Sequence, residues 1–320
     1  MENNLYLSKF WTRIWALLID TIILGIFGFI LGLIFKNFFI SLGGNAKIIG
    51  WIISLAYFTI LNSQINNGQT LGKKMMDIQV TDIYGNVISL KNSFFRAFIL
   101  TTPVFLNGFR IPGTSLFSVV TIIQSIIIFT FGIGIILFYI FNKENRQSIH
   151  DIIAKTYVVQ EYRNDEITLM PKFGKLPLYI LGGLFVIISA FSIYNFNNNS
   201  KISKLIPVYE NILKQDNVSD ANVNFNYTPV IDSTGTKHFI YTVAIKINKS
   251  IENKSNIEDN INSPELKQTV ETFINSKAYE TDNDILSVVV NSGFDIGIAE
   301  QNYSYNIYKP IYKWKETYNH

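Results

Sequence analysis

Five blocks of apolar residues mark the first 195 positions. Residues 14–35, IWALLIDTIILGIFGFILGLIF, form a stretch of 22 interrupted only by Asp20, long enough at 1.5 Å per residue to cross a hydrocarbon core of roughly 30 Å. A cleaved signal peptide would need a basic start, a shorter acid-free core and a small-residue cleavage site, so the block is expected to remain as a transmembrane helix. Residues 46–62 predict a second, shorter span, residues 115–141 a long one that can tilt, and residues 176–195 another. Residues 93–109 are only 17 long, with Arg96 near the start and Pro103 inside, and read as either spanning or re-entrant.

The distribution of positive charge decides between the two. If 93–109 spans, twelve lysines and arginines, among them Arg13, Lys73, Lys74, Arg96, Arg146 and Lys155, share the side of the amino terminus, against Lys36, Lys47 and Arg110 opposite. Basic residues gather on the cytoplasmic side, so this predicts five spans with the amino terminus in the cytoplasm. In the loop between the second and third spans, residues 77–90 read as a small β-hairpin around a Tyr-Gly-Asn turn in which Gly85 takes positive φ. Residues 154–160 have the β-branched content of a third strand beside it.

After the Asn-rich linker 195–200 the pattern becomes that of a soluble protein. Residues 201–214 and 264–279 repeat apolar positions at helical spacing, while 221–231, 237–247, 285–291 and 295–308 alternate like strands, with a turn at Ser233 to Thr236. The expected architecture is an α-helical polytopic membrane domain over 1–160 with a small cytoplasmic hairpin. A cytoplasmic linker at 161–175, a fifth helix at 176–195 and a soluble α+β domain over 200–320 follow, the last extracytoplasmic because the spans are odd in number.

Composition sharpens this picture. Charged residues make up 16% of the chain, well below the roughly 25% of soluble proteins, which points to lipid as the surrounding partner. Residues 1–175 hold 15 basic and 9 acidic side chains, a net +6, and residues 176–320 hold 12 and 15, a net −3, so the two halves face different surroundings. The absence of Cys excludes disulfides, Cys-ligated zinc, iron–sulfur clusters and cysteine nucleophiles. With His150, His238 and His320 as the only imidazoles, no metal, cofactor or nucleic-acid partner is expected.

The candidate chemistry lies in a few polar residues inside or beside the apolar blocks. Arg13 and Asp20 are seven apart, two helical turns, and lie on one face of the first span. A bare carboxylate there costs several kcal/mol, so Asp20 is neutral, hydrated or paired: a proton- or cation-exchanging group, a structural ion pair or a residue reaching water. Trp11 and Trp15 beside it read as an interfacial belt. Gly28 and Gly32 give a GxxxG spacing that permits close helix approach, and Gln124 in the long span reads as an interhelical hydrogen bond. Gly68, Gly72, Lys73 and Lys74 in GQTLGKK do not make a phosphate-binding loop, since only three residues separate the glycines and Lys74 replaces the required hydroxyl. They read as a basic turn at the membrane surface. Arg96, His150 and Asp151 fall at the cytoplasmic level of Arg13 and Asp20, so all five are expected to form one charge-balanced cluster.

The run Arg13 to Asp20, then GQTLGKKMMDIQVTD followed by Gly85 and Arg96, then His150-Asp151 through Val159, resembles the RDD family of bacterial membrane proteins over about residues 6–160. The arginine and two aspartates of the family name match Arg13, Asp20 and Asp151. The resemblance implies a polytopic inner-membrane protein, and some members are described as cation/proton antiporters. On that reading Asp20 exchanges Na⁺ or K⁺ for H⁺, Arg13 or Arg96 holds its charge, and Asp151 with His150 relays protons, in an assembly that oligomerises because five spans offer one chain a poor alternating path. The alternative is a non-catalytic scaffold or sensor whose extracytoplasmic domain binds a partner. No set of nucleophile, base and orienter supports an enzyme.

Overall fold

The computed structural model describes residues 6–111, 114, 118–142, 146–160, 175–198, 200–226, 228–231, 235, 237–251 and 260–318. The expected linker 161–175, all but its last residue, the start of the fourth block at 115–117 and most of the turn at 233–236 lie outside them. Two compact units are present, the first built from Met1–Leu31, Lys47–Ala190 and Ile296–Ala299, the second from Gly32–Ala46, Phe191–Asp295 and Glu300–His320.

The first unit is inverted in polarity. Along α1 (Phe10–Ile34) the buried positions Arg13, Ala16, Asp20, Leu24 and Gly28 repeat every three or four residues, while Trp11, Trp15, Ile22, Ile26 and Ile30 are exposed. Polar groups inside and aliphatic groups outside is the arrangement hydrocarbon demands, because lipid cannot satisfy a hydrogen-bonding group. The GxxxG face admits a side chain instead of a helix: a Cβ on Gly28 would stand 2.7 Å from Ile298 Cγ1. After the short α2 (Lys36–Leu42), α3 (Ala46–Leu61) buries Ala46, Gly50, Ser54 and Phe58 at four-residue spacing.

After α3 the chain forms α4 (Leu71–Met75), capped by Thr70, and β1 (Ile78–Thr81). The expected hairpin after β1 shrinks to one bridge, Thr81 to Val87, around the Gly85 turn at φ +82°. The expected third strand is present: β1 pairs antiparallel with β2 (Tyr157–Gln160), Ile78 opposite Gln160 and Thr81 opposite Tyr157, and Leu7 bridges Val159 on the far edge of β2. The pair buries Ile78, Val80 and Val158 together with Ala16 of α1 and Ile88 of the local return arm.

The ambiguous block is helical as α5 (Leu90–Leu106), with Ser89 as cap and Pro103 in its last turn. Gln124, on α6 (Val119–Phe141), donates to the carbonyls of Leu106 (2.9 Å) and Phe109 (2.5 Å), closing orphan acceptors at the end of α5. A π-helical segment, Ile128–Ile133, interrupts α6. The short α7 (Ile149–Ala154) precedes β2, and α8 (Leu176–Asn198) supplies the last apolar stretch, Leu176–Ile187. Among the described residues three helical runs, Phe10–Ile34, Lys36–Leu61 and Val119–Phe141, are long and apolar enough to cross a membrane.

The second unit contains a four-stranded sheet in the order β3-β6-β7-β8, from β3 (Val218–Phe225), β6 (Ile240–Ile247), β7 (Ile285–Asp295) and β8 (Glu300–Pro310). The minor pair β4 (Val230–Ile231) and β5 (Lys237–His238) stands apart. Neighbours are antiparallel except β6 and β7, which run parallel, Ile240 opposite Ile285, and are joined through α10 (Pro264–Ser276). Strict alternation on β6 buries Tyr241, Val243, Ile245 and Ile247 on one face. That face meets Leu205, Val208 and Ile212 of α9 (Ser200–Ile212), Phe273 of α10 and Trp314 of α11 (Ile311–Tyr318) in one core. The sequence pattern anticipates α9, α10 and the strand regions and misses α11.

Phe273 is fully buried with its ring centroid 5.3 Å from that of Tyr241. Phe273→Ala is expected to cost about 3 to 5 kcal/mol, measured by denaturant unfolding of the full chain followed through the emission of buried Trp314. An unchanged midpoint would mean this core does not exist as described.

Candidate functional site

Asp20 is fully buried and takes its partners from α3 and from the capped start of α4. Its Oδ1 accepts from the Tyr57 hydroxyl (2.7 Å) and the Gly72 amide (2.8 Å), and its Oδ2 accepts from the Thr70 hydroxyl (2.6 Å). Thr70 also caps α4, its Oγ1 accepting from the Lys73 amide at 3.2 Å. The carboxylate therefore sits at a helix start, where free amides and the peptide dipoles favour negative charge. Glycine at 72 is dictated by space: a Cβ there would lie 2.0 Å from the Ala16 carbonyl oxygen. Gly68 is held at φ +70° while its carbonyl accepts from the Val80 amide (2.9 Å), tying the turn to β1.

The second cluster centres on Asp151. Its Oδ1 accepts from Arg96 Nε (2.9 Å) and Nη2 (2.8 Å), and its Oδ2 accepts from the Ser148 amide (3.2 Å) at the start of α7. Arg13 Nη1 stands 3.6 Å from Oδ2. Arg13 is otherwise consumed by the Ser8 hydroxyl (2.5 Å), the Val158 carbonyl (3.0 Å) and the Arg146 carbonyl, and its guanidinium lies 5.6 Å from the centroid of the Tyr139 ring. Burial alone would raise the Asp151 carboxyl, but the adjacent His150 ring and the guanidiniums of Arg96 and Arg13 together outweigh it and hold the group below the ordinary carboxylate range.

Around this cluster lies a cavity of about 220 Å³ bounded by Arg13, Lys73, Arg96, His150 and Asp151 at its polar end and by residues such as Ile14, Leu100 and Ile136 elsewhere. Lys73 is nine-tenths buried, with Nζ 3.5 Å from Thr70 Oγ1. Burial pushes its amine down to about 7, Arg96 acting in the same sense against Asp20 and Asp151. Burial also lowers the His150 imidazole to about 3, so the ring is neutral. Its Nε2 is 3.2 Å from Arg96 Nη2 and therefore accepts, which assigns the proton to Nδ1, a buried donor with no partner among the described residues.

Of the residues singled out from sequence, Arg13, Arg96, His150 and Asp151 come together, and Asp20 does not pair with the arginines. It binds neutral donors, because the α4 turn presents an amide and a hydroxyl at van der Waals distance from α1. The basic turn also divides: Lys74 is exposed, as a surface residue should be, whereas Lys73 is buried because the close approach at Gly72 carries it inward. Tyr57 and Thr70 were not anticipated. Tyr57 had a signal, as a polar-tipped side chain inside the apolar block 46–62, and Thr70 had another, as a cap residue before Leu-Gly-Lys-Lys.

Removing one member of the buried pair leaves a charge uncompensated, so Arg96→Gln is expected to destabilise by about 3 to 5 kcal/mol, with Arg96→Gln plus Asp151→Asn recovering part of the loss. Equal losses in the single and double variants, measured by thermal unfolding in detergent, would argue against pairing. The titrations give a second expectation. His150 takes a proton at about 3 when folded against 6.5 when unfolded, and Lys73 at about 7 against 10.5. In both windows the unfolded chain holds the extra proton, so stability rises with pH. The melting temperature should climb from pH 5 to pH 9, and His150→Gln should flatten the part below 6.5 only; a profile unchanged by that substitution would show that His150 is not buried neutral.

The sequence model of the RDD family matches residues 7–155, the stretch that supplies both polar clusters, and no family matches the C-terminal part. No curated protein and no solved structure gives a significant match. Residues 7–155 thus combine apolar helices of membrane-crossing length with similarity to the RDD family.

Proposed function

We propose that the chain is a five-span inner-membrane protein, amino terminus in the cytoplasm and residues 200–320 outside, whose RDD region is a non-catalytic module that fixes helices and loops at one membrane face. The observation that carries this reading is the saturation of both aspartates: Asp20 accepts three donors, and Asp151 is clasped by Arg96 and the Ser148 amide. A carboxylate that traded ions would have to surrender these bonds inside a low-dielectric bundle, at several kcal/mol each. The extracytoplasmic α+β domain then supplies the contact with a partner.

Exchange of Na⁺ or K⁺ for H⁺ in an oligomer is the second reading, and one observation favours it: the buried Lys73 amine, at about 7, is poised to gain and lose a proton at neutral pH.

Flux assays on the purified chain in liposomes separate the two. The expected result is no pH-dependent Na⁺ or K⁺ flux above protein-free vesicles; a flux that disappears in a folded, inserted Asp20→Asn or Lys73→Met variant would establish exchange. Because native Cys is absent, single cysteines report topology cleanly. Impermeant reagent on intact cells should label position 280 and spare position 74, and the reverse pattern would invert the orientation.

A further inference from the structure

A second cavity, of about 610 Å³, shares Phe10, Arg13, Tyr139 and Ile140 with the first and adds Lys9, Trp11 and Arg146. The two thus adjoin along these four residues, and together they occupy the region between the beginning of α1 and the end of α6. Its charge is one-sided. Lys9, Arg13, Lys73, Arg96 and Arg146 line it, and Asp151 is the single acid among the described lining residues. That excess repels a metal or alkali cation and attracts an anion. The remaining wall is aliphatic and aromatic, from Ile14, Leu17, Phe58, Leu100, Ile135 and Ile136, which a small hydrated anion would not match. Depth supplies the third constraint. Arg13 is the fourth residue of α1, about 5 Å along an axis of about 37 Å, and Trp11 and Trp15 are 67% and 52% exposed beside it, as interfacial aromatic residues are. The charged end therefore lies at headgroup level and the apolar walls lie deeper.

Two groups in this space lack a full complement of partners. Among the described residues His150 Nδ1 is a buried donor with none, and the nine-tenths buried Lys73 ammonium has one neighbouring acceptor at 3.5 Å. We propose that this cavity binds one anionic phospholipid, its phosphate held by Lys73 and the neighbouring cations and its glycerol and upper acyl chain laid against Ile14, Leu100 and Ile136 between α1 and α6. Basic pockets between membrane helices hold acidic headgroups in this way, through charge-assisted bonds that a zwitterionic lipid forms at lower net gain. A phosphate at Lys73 also restores the counter-charge that burial denies its amine.

Native mass spectrometry of the delipidated full chain in detergent tests this, with phosphatidylglycerol, phosphatidylcholine of the same acyl chains and inorganic phosphate as separate additions. One phosphatidylglycerol per chain should bind saturably, at least about tenfold more tightly than phosphatidylcholine, and excess inorganic phosphate should not displace it. Lys73→Met should weaken binding by about tenfold or more. Ile136→Trp, which fills the apolar wall at a half-exposed position and leaves every charge in place, should abolish it without changing the melting temperature. Equal binding of the two lipids, displacement by phosphate alone, non-saturating uptake of many lipids, or wild-type binding in the well-folded Ile136→Trp variant would each overturn the assignment.

Discussion

Everything in the membrane unit answers to one constraint: a charged or hydrogen-bonding group taken out of water must find its partner inside the protein. The strongest expression of it is the clasp of Arg96 on Asp151, with the Ser148 amide closing the other carboxylate oxygen. Such a pair adds little net stability over a hydrophobic contact, but it penalises every arrangement that separates its members. It fixes α7 against α5, and because Arg13 reaches the same carboxylate and the carbonyl of Val158, it fixes α1 and β2 with them. The short β1–β2 pair then locates the α4 turn, whose Gly68 is tied to Val80. Asp20 completes the circuit by drawing that turn onto α1.

Much of this is legible in the chain, and the illegible parts have physical reasons. The apolar blocks announce α1, α3, α6 and α8 because lipid-facing length is a strong signal. Arg13, Arg96, His150 and Asp151 announce their meeting because charges at one depth have few other ways to be satisfied. The assignment of partners is less accessible. Nothing in the residue pattern says that Asp20 prefers a hydroxyl and an amide to a guanidinium seven residues away, since that choice depends on Gly72 letting two backbones touch. The same contact decides that Lys73 is buried and Lys74 is not. The hairpin after Asp77 survives as a turn at Gly85 closed by one bridge, Thr81 to Val87, and the ladder forms with the strand about eighty positions later. In the soluble unit, alternation on β6 and helical spacing on α10 are plain. Helix α11 hides behind β8 because its eight residues begin directly at the end of a long strand and hold too few apolar positions to show a period.

Both aspartates lie in the stretch that matches the RDD family model, yet the charge of one is offset by dipoles and hydroxyls and that of the other by full charges. The neutral solution costs no buried cation and is set by local shape; the charged one reaches across 55 and 138 residues to Arg96 and Arg13. A substitution at either site therefore disturbs different things, a turn in the first case and a bundle in the second.

The bond from Arg13 to the Val158 carbonyl spans 145 residues, and this has a bearing on how the chain is made. At roughly 5 to 20 residues per second of synthesis, α1 emerges about 7 to 30 s before its partner strand exists. Throughout that interval the guanidinium has no acceptor from β2 and no carboxylate. Its position in the first turn of the helix, with an aliphatic stem that lets the head reach the water boundary, makes the wait tolerable. Had the same arginine been placed two turns deeper, the helix would have had to enter lipid carrying an unpaired charge, so the location of Arg13 is as much a condition for insertion as for the finished structure.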